Sequence, residues 1–220
     1  MSATRCYALA VSLRERKKQQ TRKAIAASAW ELFGERGFEA VTIAEIARAA
    51  DVSEGTVFNY FPAKEDLFYS QMEAFEAELV AAVRAREPGE SVLEAFRRVM
   101  LERSRGLDST ERSELIARAA RTIDASPALR ARQREIVDQA TRDLGAAIAD
   151  ETGARPDAVE PRVVAHALMG VQQALQGFVW ERASTGQRGP ALAAAVRAET
   201  KKAFARLEHG LADYARKPSS

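Results

Sequence analysis

The sequence predicts an all-α fold, and three observations carry that prediction. Apolar residues recur at i, i+3, i+4 and i+7 spacing through nearly all of the 220 residues. Ala, Arg, Glu and Leu are abundant, while strand-type runs are few. Helix-start signatures stand at Thr42 with Glu45 and at Ser91 with Glu94, the spacing at which a hydroxyl and a carboxylate satisfy free amides at a helix start. The pattern amounts to about nine helices.

In chain order, the first helix runs from about Ser12 or Arg14 to Arg36. Its inner face is Ile25, Ala29, Leu32 and Phe33, and Gly37 stands where a left-handed cap would close it, followed by Phe38. Trp30 lies off that stripe, either exposed or placed against the fourth helix. The second helix opens at Thr42 with a stripe of Ile43, Ile46, Ala47 and Ala50, and ends at Asp51, a residue type that tolerates left-handed geometry. The third begins at Ser53, with Val57, Phe58 and Phe61 available for its buried side, and Pro62 stops it.

A fourth helix starts near Lys64, with Glu65 and Asp66 in its first turn where the macrodipole favours acids. Leu67, Phe68, Met72, Phe75, Leu79 and Val83 carry it to about Arg86, and Pro88-Gly89 ends it. So long a stripe reads as a connector, dividing the chain into residues 1–63, a connecting helix at 64–87 and a larger helical domain at 88–216. Within the larger domain, Ser91 caps a helix bearing Leu93, Phe96, Val99 and Met100, and Asp108 to Glu111 opens one bearing Leu115, Ile116 and Ala119. Ser126-Pro127 opens a third, to about Glu151, and Gly153 to Pro156 is a break. The next, from Asp157 or Pro161 to Ser184, carries Val164, Leu168, Val171, Leu175 and Phe178. After Gly186 to Pro190 the last carries Leu192, Val196, Ala203, Leu207, Leu211 and Tyr214.

Composition narrows the functional classes. A 46% hydrophobic, 29% charged chain is an ordinary globular one, and a formal net charge of +2 does not by itself indicate nucleic acid. A local basic footprint exists at Arg5, Arg14, Arg16, Lys17, Lys18, Arg22 and Lys23, against Glu15, and reads either as a solvated arm or as one attracted to phosphates. The lone Cys6 points to a reducing compartment, no run approaches a membrane span, and a cytoplasmic location is expected. Only His166 and His209 are available as histidines, without clustered metal ligands, a Gly-rich phosphate loop or a nucleophile elbow. No catalytic residue, metal or cofactor is expected, and an enzyme is the disfavoured class.

Residues 42–64 form two short helices joined by a tight turn, the second with small and polar residues at its start, a shape that fits a major groove. On Thr42, Ile43, Ile46, Ala47, Ala50, Val52 to Thr56, Tyr60-Phe61 and Lys64 to Leu67, with Ile25, Ala29, Leu32-Phe33 and Gly37 in register, this stretch resembles the helix-turn-helix of the tetracycline-repressor (TetR) family of bacterial regulators. The resemblance covers roughly residues 20 to 70. It implies an all-α protein whose three-helix DNA-binding domain is joined to a larger helical ligand-binding and dimerisation domain.

By that resemblance, Thr42 offers its hydroxyl and amide to one phosphate, and Lys64 offers its charge to another. Ser53, Glu54, Gly55 and Thr56 would face base edges: Gly55 admits close backbone approach, Thr56 presents a methyl or a hydroxyl, and Glu54 either accepts from cytosine or stays solvated. Asn59 and Tyr60 are candidates for phosphate or base contact. Phe58 replaces the family's usual tyrosine and so loses that hydroxyl's phosphate contact, and Asp51 replaces its common turn glycine.

The resemblance also implies a homodimer on palindromic double-stranded DNA and an unknown small-molecule effector that moves the recognition helices out of register, with repression as the common mode. The last two helices would form the subunit interface through Val171, Leu175, Phe178, Leu192, Val196, Ala203 and Leu207, although a monomer core explains the same stripes. Phe96, Met100, His166, Met169, Gln173 and Trp180 mix apolar bulk with polar groups as pockets do, and plain core or surface roles compete for each. The alternative function is a DNA-binding regulator that is ligand-independent or responds to a protein.

Overall fold

Caps and breakers set the helix boundaries seen in the computed structural model, which describes the backbone of residues 3–155 and 157–210 and the side chains from Arg16 onward, except Gln71. Nine α-helices and one 3₁₀ turn occur among the described residues, with no strand. They are α1 (Ala3–Arg36), α2 (Ile43–Ala49), α3 (Glu54–Tyr60), α4 (Lys64–Arg84), α5 (Val92–Arg105), the 3₁₀ turn Gly106–Asp108, α6 (Thr110–Ala125), α7 (Pro127–Thr152), α8 (Val159–Ser184) and α9 (Gly189–His209). The all-α prediction agrees with this. Leu211 and Tyr214, expected on the last helix, and Pro156 of the expected break lie outside the described residues.

Helix α1 starts well before the expected Ser12 or Arg14. The reason is local: from Ala3 to Phe33 there is neither proline nor glycine, and Ala, Leu, Arg and Lys dominate, so nothing interrupts the helix. It closes as expected at Gly37, whose φ of 83° is left-handed and whose amide donates to Phe33 O at 3.0 Å.

The chain divides into two compact units, residues 1–72 and 73–220, and α4 continues through the division. In the amino-terminal unit, Ile25, Ala29 and Phe33 of α1, Ile46 and Ala47 of α2, Val57 of α3, Phe61, and Leu67 and Phe68 of α4 are buried. Trp30 is not a bare surface aromatic: it stacks on Phe68 at 5.2 Å, and Phe33 and Phe38 also approach the Phe68 ring. Burial there raises the Tyr69 hydroxyl above its ordinary range.

In the carboxy-terminal unit α7 lies along α8, and α9 packs on α5, α6 and α8. One core cluster joins Leu107, Ala117, Ala183, Leu192, Ala193 and Val196, with Ile116, Phe178 and Val179 against it. Gly189 begins α9 at φ 54°, where an added Cβ would lie 3.2 Å from both Asp108 O and Thr110 Oγ1, and its amide donates to buried Ser113 Oγ at 3.1 Å. Glycine suits this position because a Cβ would crowd both atoms and a left-handed φ strains other residues. No helix among the described residues is long and apolar enough to cross a membrane.

Candidate nucleic-acid interface

The site is built from the start of α2 upward. Thr42 Oγ1 accepts from the Glu45 amide at 3.3 Å, while Glu45 Oε2 accepts from the Thr42 amide and hydroxyl, each at 2.8 Å. Arg36, the last residue of α1, donates to Glu45 Oε1 at 2.7 Å and to Ala40 O at 3.2 Å, so one carboxylate ties the end of α1 to the start of α2. These bonds, the Thr42 amide first, pull the Glu45 carboxyl down to about 2.

A carboxylate with a depressed pKa stabilises the fold above its unfolded value, and this contribution is lost as pH falls through the folded value. The wild type should therefore lose melting temperature between about pH 4.5 and pH 2 relative to Glu45→Gln, measured in parallel thermal melts across that window. A constant difference between the two would contradict the assignment.

The turn after α2 is closed by backbone bonds. Asp51 sits at φ 54°, Asp51 N donates to Arg48 O at 3.3 Å, and Val52 N donates to Ala47 O at 2.9 Å. That pair of bonds is a Schellman closure, in which aspartate occupies a position that glycine usually fills. The chain re-enters helix at Ser53, whose Oγ accepts from the Thr56 amide at 3.1 Å and shares a hydrogen bond with Thr56 Oγ1 at 2.8 Å.

Helix α3 has two faces. Val57 and Phe61, one turn apart, are fully buried, and Arg22 of α1 lies over the Phe61 ring at 4.7 Å. Glu54, Gly55, Phe58 and Asn59 are exposed. Phe58 corrects the sequence reading, which gave it to the buried side: it is 49% exposed. Positions 57 and 61 share a face, whereas residue 58 is turned about 100° from residue 57 and lies one turn beyond Glu54 and Gly55. An exposed phenylalanine thus joins the outward face, and helical spacing alone was enough to find it.

Thr42, Ser53 and Asn59 are exposed, and Thr56, Tyr60 and Lys64 are partly covered. Lys64 also has a structural part. Its Nζ donates to Phe38 O at 2.9 Å and Val41 O at 3.2 Å, and lies 4.3 Å from the centre of the Phe38 ring. The lysine at the start of α4 thereby holds the loop that leads into α2.

The residues expected to line a pocket differ in burial. Phe96 and Met169 are buried and Met100 and Trp180 partly buried, while His166 and Gln173 face outward. Of the residues expected at a subunit interface, Leu175, Leu192 and Val196 are covered within the single chain, and Val171, Phe178, Ala203 and Leu207 are partly covered. Leu175, Leu192 and Val196 lie on the core side of their helices, whereas the four partly covered residues keep surface that a second chain could bury. The outward side of α8 carries Val159, Val163, Ala167, Gly170, Ala174 and Gly177. No group of His, Cys, Asp or Glu suited to a metal ion occurs among the described residues.

Two short helices, a Schellman turn and a second helix with its start and one face exposed define a helix-turn-helix protein. Residues 25–70 match the model for bacterial regulatory proteins of the tetR family, and residues 90–212 match the MftR C-terminal domain. The chain belongs to the TetR family of transcriptional regulators. It is 36% identical over 84 residues to the HTH-type transcriptional regulator TcmR of Streptomyces glaucescens, covering 38% of this chain and 37% of that protein. With the HTH-type transcriptional repressor KstR of Rhodococcus jostii it shares 31% identity over 112 residues, 50% of this chain and 52% of the relative. The chain thus spans about half or less of the curated relatives it matches.

Solved structures match over more of the chain. Thermus thermophilus FadR, a TetR-family transcriptional repressor in complex with lauroyl-CoA, superposes with TM-score 0.50 at 28% identity, over 90% of this chain and all of that one. A TetR-family regulator from Mesorhizobium loti superposes with TM-score 0.55 at 16% identity, over 87% of this chain and 96% of the other, a likeness of fold.

Proposed function

We propose that this protein is a ligand-responsive transcriptional repressor that acts in the cytoplasm, binding a palindromic operator as a homodimer and leaving it when a small molecule binds the carboxy-terminal unit. The observation that carries the reading is the exposed face of α3, held outward by fully buried Val57 and Phe61. Such a helix enters a major groove with Ser53, Glu54, Gly55 and Thr56 nearest the base edges. Thr42, Lys64, Asn59 and Tyr60 serve as flanking contacts, and the first two position the domain without reading sequence.

A homodimer supplies two such helices about one helical turn, ~34 Å, apart. The small, exposed residues along α8 support close packing of a second copy there. The likeness to a repressor structure that holds lauroyl-CoA supports the small-molecule effector. To act, that effector must bind more tightly to the state that cannot span both half-sites, since equal affinity for both states shifts nothing.

The test is release of an enriched duplex by candidate compounds, paired with thermal melting, because a ligand bound only by the folded state raises the melting point. Compounds that raise the melting point and free the duplex support the reading. A duplex that no stabilising compound releases points to ligand-independent or protein-responsive regulation.

Phe58 gives a separate expectation. Phe58→Tyr adds a hydroxyl on the exposed face where the family commonly has one, and should tighten duplex binding by about 0.5–1.5 kcal/mol, the net value of one hydrogen bond, without altering the melting point. Fluorescence anisotropy on one duplex checks it. Weaker or unchanged binding would place residue 58 away from the phosphates.

A further inference from the structure

The carboxy-terminal unit contains a buried polar pair that the fold does not complete. Glu76 on α4 is 3% exposed and Gln172 on α8 is 2% exposed. Gln172 Nε2 donates to Glu76 Oε1 at 3.2 Å. The other carboxylate oxygen, Glu76 Oε2, and the amide oxygen, Gln172 Oε1, are buried acceptors without a hydrogen-bond partner among the described residues. Phe75 and Leu79 flank Glu76 along α4, and Leu168, Met169 and Leu175 lie one turn from Gln172 along α8, all of them buried.

A bare carboxylate oxygen in such surroundings is costly, and a hydrophobic pair of the same volume would serve the packing better. The carboxyl responds as expected: burial pushes it up to about 7, against the pull of Arg103. Arg103 lies over the Phe75 ring, 3.7 Å from its centre, and acts on Glu76 as a neighbouring charge.

We propose that Glu76 and Gln172 are the recognition point for the effector, an apolar molecule that presents an O–H or N–H donor to the two unpartnered oxygens. With Glu76 ionised, both open atoms are acceptors, so a ligand group that only accepts gains nothing there, whereas a hydroxyl or an ammonium completes the pair. The proposal rests on the reading of this unit as effector-binding and names the chemistry that the effector must carry.

The test uses the full chain and four probes of matched length, octylamine, 1-octanol, octanoate and the methyl ether of heptanol, followed by thermal melting and by release of a bound duplex. The two donors should raise the melting point and the two non-donors should not, with amine and alcohol distinguishing a charged from a neutral donor. In Glu76→Gln, which keeps the shape and changes the charge and one acceptor, donor affinity should fall about ten- to hundredfold. Without any probe, the double variant Glu76→Leu/Gln172→Leu should melt several degrees above the wild type, because the polar pair serves recognition at the expense of packing.

Equal shifts from donors and non-donors, donor shifts that survive in Glu76→Gln, or a lower melting point for Glu76→Leu/Gln172→Leu would each overturn the assignment. The recognition point and the effector reading fail separately. A non-donor that releases the duplex from wild type and Glu76→Gln alike removes the recognition point and leaves the effector reading standing, while a duplex released by no stabilising compound removes both.

Discussion

Gly55→Ala should leave the protein at least as stable as the wild type and weaken its duplex binding by about tenfold or more, roughly 1.4 kcal/mol. The stability half follows from the free protein. A Cβ built at Gly55 meets only Ser53 Oγ, at 3.9 Å, an ordinary contact, and residue 55 has no positive φ. Alanine is favoured over glycine inside a helix by about 1 kcal/mol, so the melting point should hold or rise. Nothing in the fold requires glycine at this position. The binding half follows from its place in the first turn of α3 on the exposed face, where a bare backbone permits the closest approach to base edges. Parallel melting and anisotropy curves separate the two effects. A variant that binds as tightly as the wild type would show that the start of α3 does not lie against DNA.

Lys64→Met should cost about 2–3 kcal/mol of stability in the amino-terminal unit and weaken binding to every duplex. The side chain holds two backbone carbonyls, Phe38 O and Val41 O, from the start of α4. Charge-assisted hydrogen bonds of this kind contribute about 1.5–3 kcal/mol each when fully buried, and less here because the group is partly exposed. Methionine keeps an unbranched apolar side chain and removes the charge that lies over the Phe38 ring. If Lys64 also meets a phosphate, the slope of log K against log salt should flatten by about 0.9, the value of one contact on B-form DNA. Melting curves and titrations at two salt concentrations read both roles. An unchanged melting point would contradict the loop tie, and an unchanged slope would contradict the phosphate contact.

Much of the amino-terminal unit is legible in the residues themselves. The Thr42–Glu45 spacing specifies a capping box, Asp51 tolerates the left-handed turn, and Pro62 ends the helix, each a local effect that needs no tertiary context. Phe58 was harder because hydrophobicity alone assigns a phenylalanine to the core. Its angular position relative to Val57 and Phe61 decides otherwise, and those two already fill the inner face.

The same one-residue rotation separates Gln172 from Gln173. Gln172 follows Leu168 by four residues and precedes Leu175 by three, so the stripe that buries the leucines buries Gln172 as well and turns Gln173 outward. Its partner, Glu76, could not be read from the sequence, because which glutamate of α4 meets α8 depends on tertiary packing. How much of each expected interface residue the chain itself covers was illegible for a related reason. An apolar stripe shows that a helix has a covered side, and only coordinates show that the chain itself covers it at Leu192 and Val196.

Selection of bound duplexes from a random pool, followed by titration of the enriched site against scrambled competitor, addresses the central claim most directly. The account predicts an inverted repeat with half-site centres about one helical turn apart, occupied by two chains per duplex and strongly preferred over the scrambled sequence. Enrichment of no site, or equal affinity for site and competitor, would contradict it.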